Sequence, residues 1–169
     1  MDTVVSLYLN FDGRIGRKTF WLWTIVLGAA IFLLGLSFNA ALGYVSPVID
    51  PSATPEAIST EINSIVRKSA WVWLVLTIVF SLPALALFTK RRHDRDNNGL
   101  DAQFFLLVPV AFLVAQGLGL GFSVIGAVLG AILAIYATYL LVVLGVLRGT
   151  SGPNSYGPDP LTAGAIATT

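Results

Sequence analysis

Between Ala102 and Leu147 the chain runs 46 residues without a charged side chain. As one α-helix this stretch would be about 69 Å long, while a bilayer's hydrocarbon core is about 30 Å thick, so it has to fold back on itself. Two more uncharged apolar stretches precede it, Phe20–Leu42 and Ala70–Thr89. Each suffices for one crossing at about 20 residues per span. The break in the long stretch falls at Gly117–Ser123, GLGLGFS, where three glycines make a tight turn cheap. Four spans follow, near residues 20–42, 70–89, 102–118 and 122–147. The third is short for a full crossing, and a re-entrant segment is its alternative reading.

Composition agrees. Hydrophobic residues make up 56% of the 169, charged residues 11%, and mean hydropathy is +0.80. A soluble domain averages about 25% charged residues, and disordered chains are poor in apolar residues. Neither class fits; an all-α integral membrane protein does. The first apolar stretch exceeds the 7–15 residues of a signal-peptide core, and no small-x-small cleavage site follows it, so it reads as a retained span. Trp21 and Trp23 open span one, and Trp71 and Trp73 open span two. Trp favours the interface between lipid and water.

Charge sets the expected orientation. Arg14, Arg17 and Lys18 precede span one, Lys90, Arg91, Arg92 and Arg95 lie between spans two and three, and Arg148 follows span four. Only Arg67 and Lys68 fall on the other side. The positive-inside rule then makes both termini cytoplasmic. In the outer loop, Gly43–Ser69, Thr54 and Pro55 read as an N-cap and first helical residue. Ile58, Ile62, Ile65 and Val66 follow on one face of a short extracytoplasmic amphipathic helix, lying on the membrane or leading into span two. Residues 161–169 read as a short flexible tail on a single membrane domain, 1–160.

Three polar segments stand out, and this topology puts all three on the inner face: Phe11–Trp21 (FDGRIGRKTFW), Lys90–Leu100 (KRRHDRDNNGL) and Gly149–Pro160 (GTSGPNSYGPDP). The first matches a pattern F-x-G-R-x-x-R-x-x-F-W through Phe11, Gly13, Arg14, Arg17, Phe20 and Trp21. The second resembles R-R-x-H-D-x-x-x-S-G-W through Arg91, His93, Asp94 and Gly99, with Lys90, Asn98 and Leu100 departing from it. The third matches G-x-N-x-[YF]-G-P-D-P through Gly152, Asn154, Tyr156, Gly157, Pro158, Asp159 and Pro160. In these motifs, and in their order over Tyr8–Pro160, the chain resembles the domain-of-unknown-function 805 family of small bacterial inner-membrane proteins, the YhaH-like proteins. The resemblance implies a multi-pass protein of the bacterial inner membrane and brings no activity with it.

The expected site is the place where these segments meet. Arg14, Arg17, Lys90, Arg91, Arg92 and Arg95 are set to converge with Asp94, Asp96, Asp101 and Asp159. Forked Arg–Asp hydrogen bonds suit a structural staple of helix ends. The same residue types suit a site for anionic phospholipid head groups. The candidate binding residues are Arg14, Arg17, Arg91, His93, Asp94, Asn154, Tyr156 and Asp159. His93 is the only histidine, and beside Asp94 it raises an acid–base reading on a lipid-linked substrate. No partner nucleophile is evident. Asp94–Gly99, DRDNNG, matches the opening of a calcium loop, but position twelve would be Phe105 instead of a bidentate Glu. With no cysteine and one histidine, no metal or other cofactor is expected.

The spans hold no ionisable side chain of Asp, Glu, Lys, Arg or His, which speaks against ion-coupled transport; a transporter or channel subunit is the second reading. Formal charge is +1 overall, which leaves no nucleic-acid footprint. Gly126, Gly130, Ala134 and Thr138 form a small-residue stripe that lets helices approach closely. Packing within the four-helix bundle is its plain use, and a homo-oligomer seam through Gly126, Gly130 and Ala134 is the alternative. The leading function is a non-enzymatic scaffold or accessory protein whose polar cap meets lipid head groups or a protein partner.

Overall fold

A computed structural model describes residues 4–44 and 52–161. The tail read as flexible lies, from residue 162 on, outside the described residues. The described residues are helical, with one isolated bridge between Asn154 and Gly157 and no strand. Four helical stretches are long and apolar enough to cross a membrane: Arg17–Ala41, Pro55–Val79, Leu100–Gly117 and Val124–Val146.

The helices are α1 (Val4–Leu9), α2 (Arg17–Ala41), α3 (Pro55–Val79), α4 (Ser81–His93), α5 (Leu100–Gln103), α6 (Leu107–Gly117) and α7 (Val124–Leu140). A 3-10 turn, Phe104–Leu106, links α5 to α6, and α7 continues as a π-helical turn, Leu141–Val146. The sequence explains most of these limits. Thr54 caps α3, its Oγ1 accepting the Ala57 N–H at 3.3 Å, and Pro55 takes the first helical position. Nothing then breaks the helix until Pro83, which has no N–H for the carbonyl of Val79, and α3 ends at Val79. The amphipathic segment takes the second of its two expected forms: it leads straight into the second crossing stretch as the opening turns of α3. One expectation changes: the span expected at 70–89 is divided at Phe80 between α3 and α4, and the crossing-length helix is Pro55–Val79. Arg67 and Lys68 therefore sit on a helix. Pro109 acts in the same way on α6: it stands in the first turn, where a missing N–H costs nothing.

The chain forms two compact units. The first comprises residues 1–29, 80–106 and 135–169. Its core is Leu7, Ile15, Phe20, Leu87, Ala102, Leu140, Val143 and Leu144. Here α1 packs on α4, and Tyr8 donates to the carbonyl of Trp23 at 3.0 Å while meeting its ring edge-on.

The second unit comprises residues 30–79 and 107–134. α3 lies along α6, with the Trp71 ring over Gly117, where a Cβ would come within 2.5 Å of the indole. Trp73 covers Gly35 in the same manner and stacks on Phe32. The turn after α6 closes as the glycines predict: Gly119, at φ +84°, lets Gly119 N–H reach the Gln116 carbonyl and Leu120 N–H the Ala115 carbonyl. Ser123 then begins α7, its Oγ accepting from Gly126 N–H at 3.4 Å. Gly126 faces the carbonyls of Leu120 and Gly121, and Gly130 faces Phe112, so both glycines of the small-residue stripe have neighbours within this unit. Ala134 is exposed.

Candidate functional site: an arginine–aspartate cap

All three polar segments lie in the first unit. α4 carries Lys90, Arg91, Arg92 and His93 in its last turn, where cations oppose the negative end of the helix dipole. It stops at Asp94, and the following turn needs a positive φ at Asp96, +54°, a conformation that Asp tolerates better than most residues. Asn97 and Asn98 then accept the backbone N–H groups of Gly99 and Leu100, which starts α5.

Asp94 is the centre of the cap. One oxygen accepts from Arg14, at 2.9 Å from Nη2 and 3.2 Å from Nε. The other accepts from Nη1 of Arg91. The side chains are almost wholly buried: 1% exposed for Arg14, 0% for Arg91 and 5% for Asp94. One carboxylate between two guanidiniums leaves a positive charge, and backbone carbonyls compensate it. Arg14 donates to the carbonyls of Thr150 and Gly152, both at 2.8 Å. Arg91 donates to Leu144 at 2.7 Å and to Leu147 at 2.6 Å. Burial pulls the Arg91 guanidinium below its ordinary pKa, and Asp94 opposes that shift; an arginine still keeps its proton.

The π-helical turn supplies the Leu144 carbonyl and three others that side chains reach. A helix end leaves its last carbonyls without intrahelical donors. Here side chains replace them: Arg91 at Leu144, Trp21 Nε1 at Gly145 (3.2 Å), Arg17 at Val146 (3.2 Å), and Arg95 at Val143 (3.5 Å). Lys90 reaches the end of α1, with Nζ 2.6 Å from the Ser6 carbonyl, which it shares with Asn10 N–H, and 3.4 Å from that of Leu7.

The third segment folds over this knot. Asn154 Nδ2 donates to the carbonyl of His93 at 2.9 Å. The ring of Tyr156 stacks on that of His93, 3.8 Å between centroids and 8° from parallel. Thr150 N–H donates to the Asp94 carbonyl at 2.8 Å. Asp159 accepts from Leu161 N–H and Gly152 N–H, each at 2.9 Å. These two bonds, with Arg14 nearby, hold its carboxyl below the usual carboxylate pKa.

Seven of the eight expected residues, Arg14, Arg91, His93, Asp94, Asn154, Tyr156 and Asp159, thus share one bonded network. Arg17 stands at its edge, exposed, on the π-helical turn. Thr150 was missed; it carries no charge, and its only signal was its place within the third polar segment. Asp101 pairs with Arg92 at 2.9 Å and accepts from Tyr139 at 2.6 Å. The histidine and its neighbouring carboxylate do not act on each other: Asp94 is spent on arginines, and His93 Nδ1 faces the Gly13 carbonyl at 3.0 Å. Of the calcium-like positions, Asp96 accepts Ser155 N–H at 3.2 Å. Among the described residues no group of three or more Asp, Glu or His side chains is placed to hold a metal ion. The exposed cations of this unit are Arg17, Lys18 and Arg148.

A family model described as "Protein of unknown function (DUF805)" matches residues 8–158. Among curated proteins, the chain is 27% identical over 161 residues to inner membrane protein YhaI of Escherichia coli (strain K12), covering 94% of this chain and 92% of that one. It is 27% identical over 157 residues to inner membrane protein YhaH of the same strain, covering 93% and 92%. It is 28% identical over 158 residues to the uncharacterized protein YiiR, also of that strain, covering 93% and 90%. No solved structure matches the chain.

Proposed function

The chain belongs to the DUF805 family, and on that premise we propose a non-enzymatic role: a small membrane scaffold whose cap offers a preformed cationic rim to anionic phospholipid head groups on the cytoplasmic side. That the chain is a multi-pass inner-membrane protein follows from its four crossing-length helices and its inner-membrane relatives. The observation that carries the reading is the division of labour among the arginines. Arg14 and Arg91 are buried and hold Asp94. Arg17, Lys18 and Arg148, at the start of α2 and just past the π-helical turn, stay exposed. Cations at span ends reach head groups while their stems cover apolar surface. The excess of basic residues in the segments around the cap supports a cytoplasmic placement with both termini inside. A reading as a lipid-directed enzyme is weakened by the occupation of Asp94.

The test is thermal unfolding of the full chain in neutral detergent, titrated with phosphatidylglycerol or phosphatidylcholine. A ligand that binds only the folded form raises the midpoint. The wild type should gain stability from phosphatidylglycerol alone. Lys18→Gln/Arg148→Gln should keep its lipid-free midpoint and lose most of that gain. An unchanged gain in the double variant would remove the rim from the account.

A further inference from the structure

The two cations left out of the cap, Arg67 and Lys68, line a cleft of about 410 Å³ in the second unit. Thr60, Asn63, Ser64 and Trp71 line it too, from the same face of α3. Their spacing, i, i+3/i+4, i+7/i+8 and i+11, makes one continuous stripe. At 100° per residue it runs opposite the stripe of Ile58, Ile62, Ile65 and Val66. Gly117 of α6 lines the cleft as well.

Three features make this more than a solvated helix face. No carboxylate lines the cleft, and neither cation takes part in an ion pair among the described residues. Arg67 also makes no hydrogen bond to the end of α6, whose Ala115 and Gln116 carbonyls are already taken by Leu120 and Gly119 N–H groups. Its guanidinium is nonetheless seated: it lies over Gly119, where a Cβ would meet Nε at 3.1 Å and Cζ at 3.3 Å. A side chain there would push the guanidinium away, and the positive φ disfavours one in any case. Lys68 Nζ stands 5.9 Å from the Tyr44 ring centre, a cation–π distance. A positioned fork, a second positive charge and the side-chain donors of Ser64 and Asn63 therefore share one cleft, at the level where Trp71 opens an apolar run. The volume is within the ~300–1,000 Å³ typical of ligand sites.

We propose that this cleft binds a phosphate group, with Arg67 as a bidentate donor, Lys68 as the second charge, and Ser64 and Asn63 as neutral donors. Guanidinium geometry matches phosphate oxygens in pairs. The phosphate can belong to a lipid head group, held with its chains along the apolar part of α3, or be free in solution. This site is independent of the cap.

The test is calorimetric titration of the full chain in neutral detergent with inorganic phosphate, and separately with phosphatidylglycerol in mixed micelles. Both are repeated in the Lys18→Gln/Arg148→Gln background, which removes the rim's own response. Binding should persist in that background. It should weaken roughly tenfold or more in Arg67→Gln, the loss expected for one charged hydrogen-bonding group. Binding of phosphate alone identifies a free anion, and binding of the lipid alone identifies a head group; either supports the site when it depends on Arg67. Should Arg67→Gln fail to fold, Lys68→Gln reads the same loss. Wild-type binding of neither probe, or affinity unchanged in these variants, overturns the proposal.

Discussion

Asp94 and Asp159 show how two carboxylates sixty-odd residues apart divide the work of one cap. Asp94 neutralises buried arginines, while Asp159 closes a loop by accepting Leu161 and Gly152 N–H groups. Those bonds are stronger to the charged form, which lowers the native pKa of Asp159. Its contribution to stability is complete above the ordinary carboxylate value of about 4 and fades as pH falls through the lowered native value. The destabilisation caused by Asp159→Asn should therefore be largest near neutral pH and shrink below about pH 4. A difference in unfolding midpoint that stays constant from neutral to acid pH would refute this role. The residue types of the cap were legible in the sequence, because eleven of the nineteen charged side chains gather in three short segments. Which aspartate meets which arginine was not. Most donors of the cap end on backbone carbonyls, and a carbonyl has no residue identity to read.

At the scale of elements, crossing helices have little hydrophobic drive toward one another in lipid, so close packing has to hold them. Three of the four tryptophans pack over a glycine: Trp73 on Gly35, Trp71 on Gly117, and Trp21 on Gly145. Their placement at span ends was legible, and their glycine partners, distant in sequence, were not. Gly145 is the most constrained of the three, because the indole that fills its notch also donates to its carbonyl. A Cβ there would stand 2.5 Å from the ring and drive it off that bond. Gly145→Ala should cost about 1–3 kcal/mol, as overpacking does. Gly28→Ala, in open space on α2, should stay within about 1 kcal/mol of wild type in the favourable direction. Comparing the two midpoints by thermal unfolding separates the notch from helix propensity, and equal effects would count against it. The first, third and fourth crossing segments, and the turn after Gly117, followed directly from apolar length and glycine spacing, whereas the second lies at Pro55–Val79 instead of 70–89. The π-helical turn did not, since Leu141–Val146 differs in no residue type from the helix before it. The second span is displaced from 70–89 because uncharged length set its limits, while the helix begins at the Thr54 cap and ends ahead of Pro83.

At the scale of the whole molecule, the first unit gathers segments from the start, the middle and the end of the chain around a single carboxylate. Breaking a buried ion pair by removing one partner leaves the other charge uncompensated, at about 3–5 kcal/mol. The account's central claim is that Arg14 and Asp94 act as one buried unit on which the cap closes. A double-mutant cycle in mild detergent tests it most directly, with Arg14→Gln, Asp94→Asn and both together, followed by chemical unfolding. Each single change should lower stability by about 3–5 kcal/mol, and the pair should cost less than the two losses combined by about 1–3 kcal/mol. Losses that simply add, or an Asp94→Asn protein that unfolds at the wild-type midpoint, would contradict it.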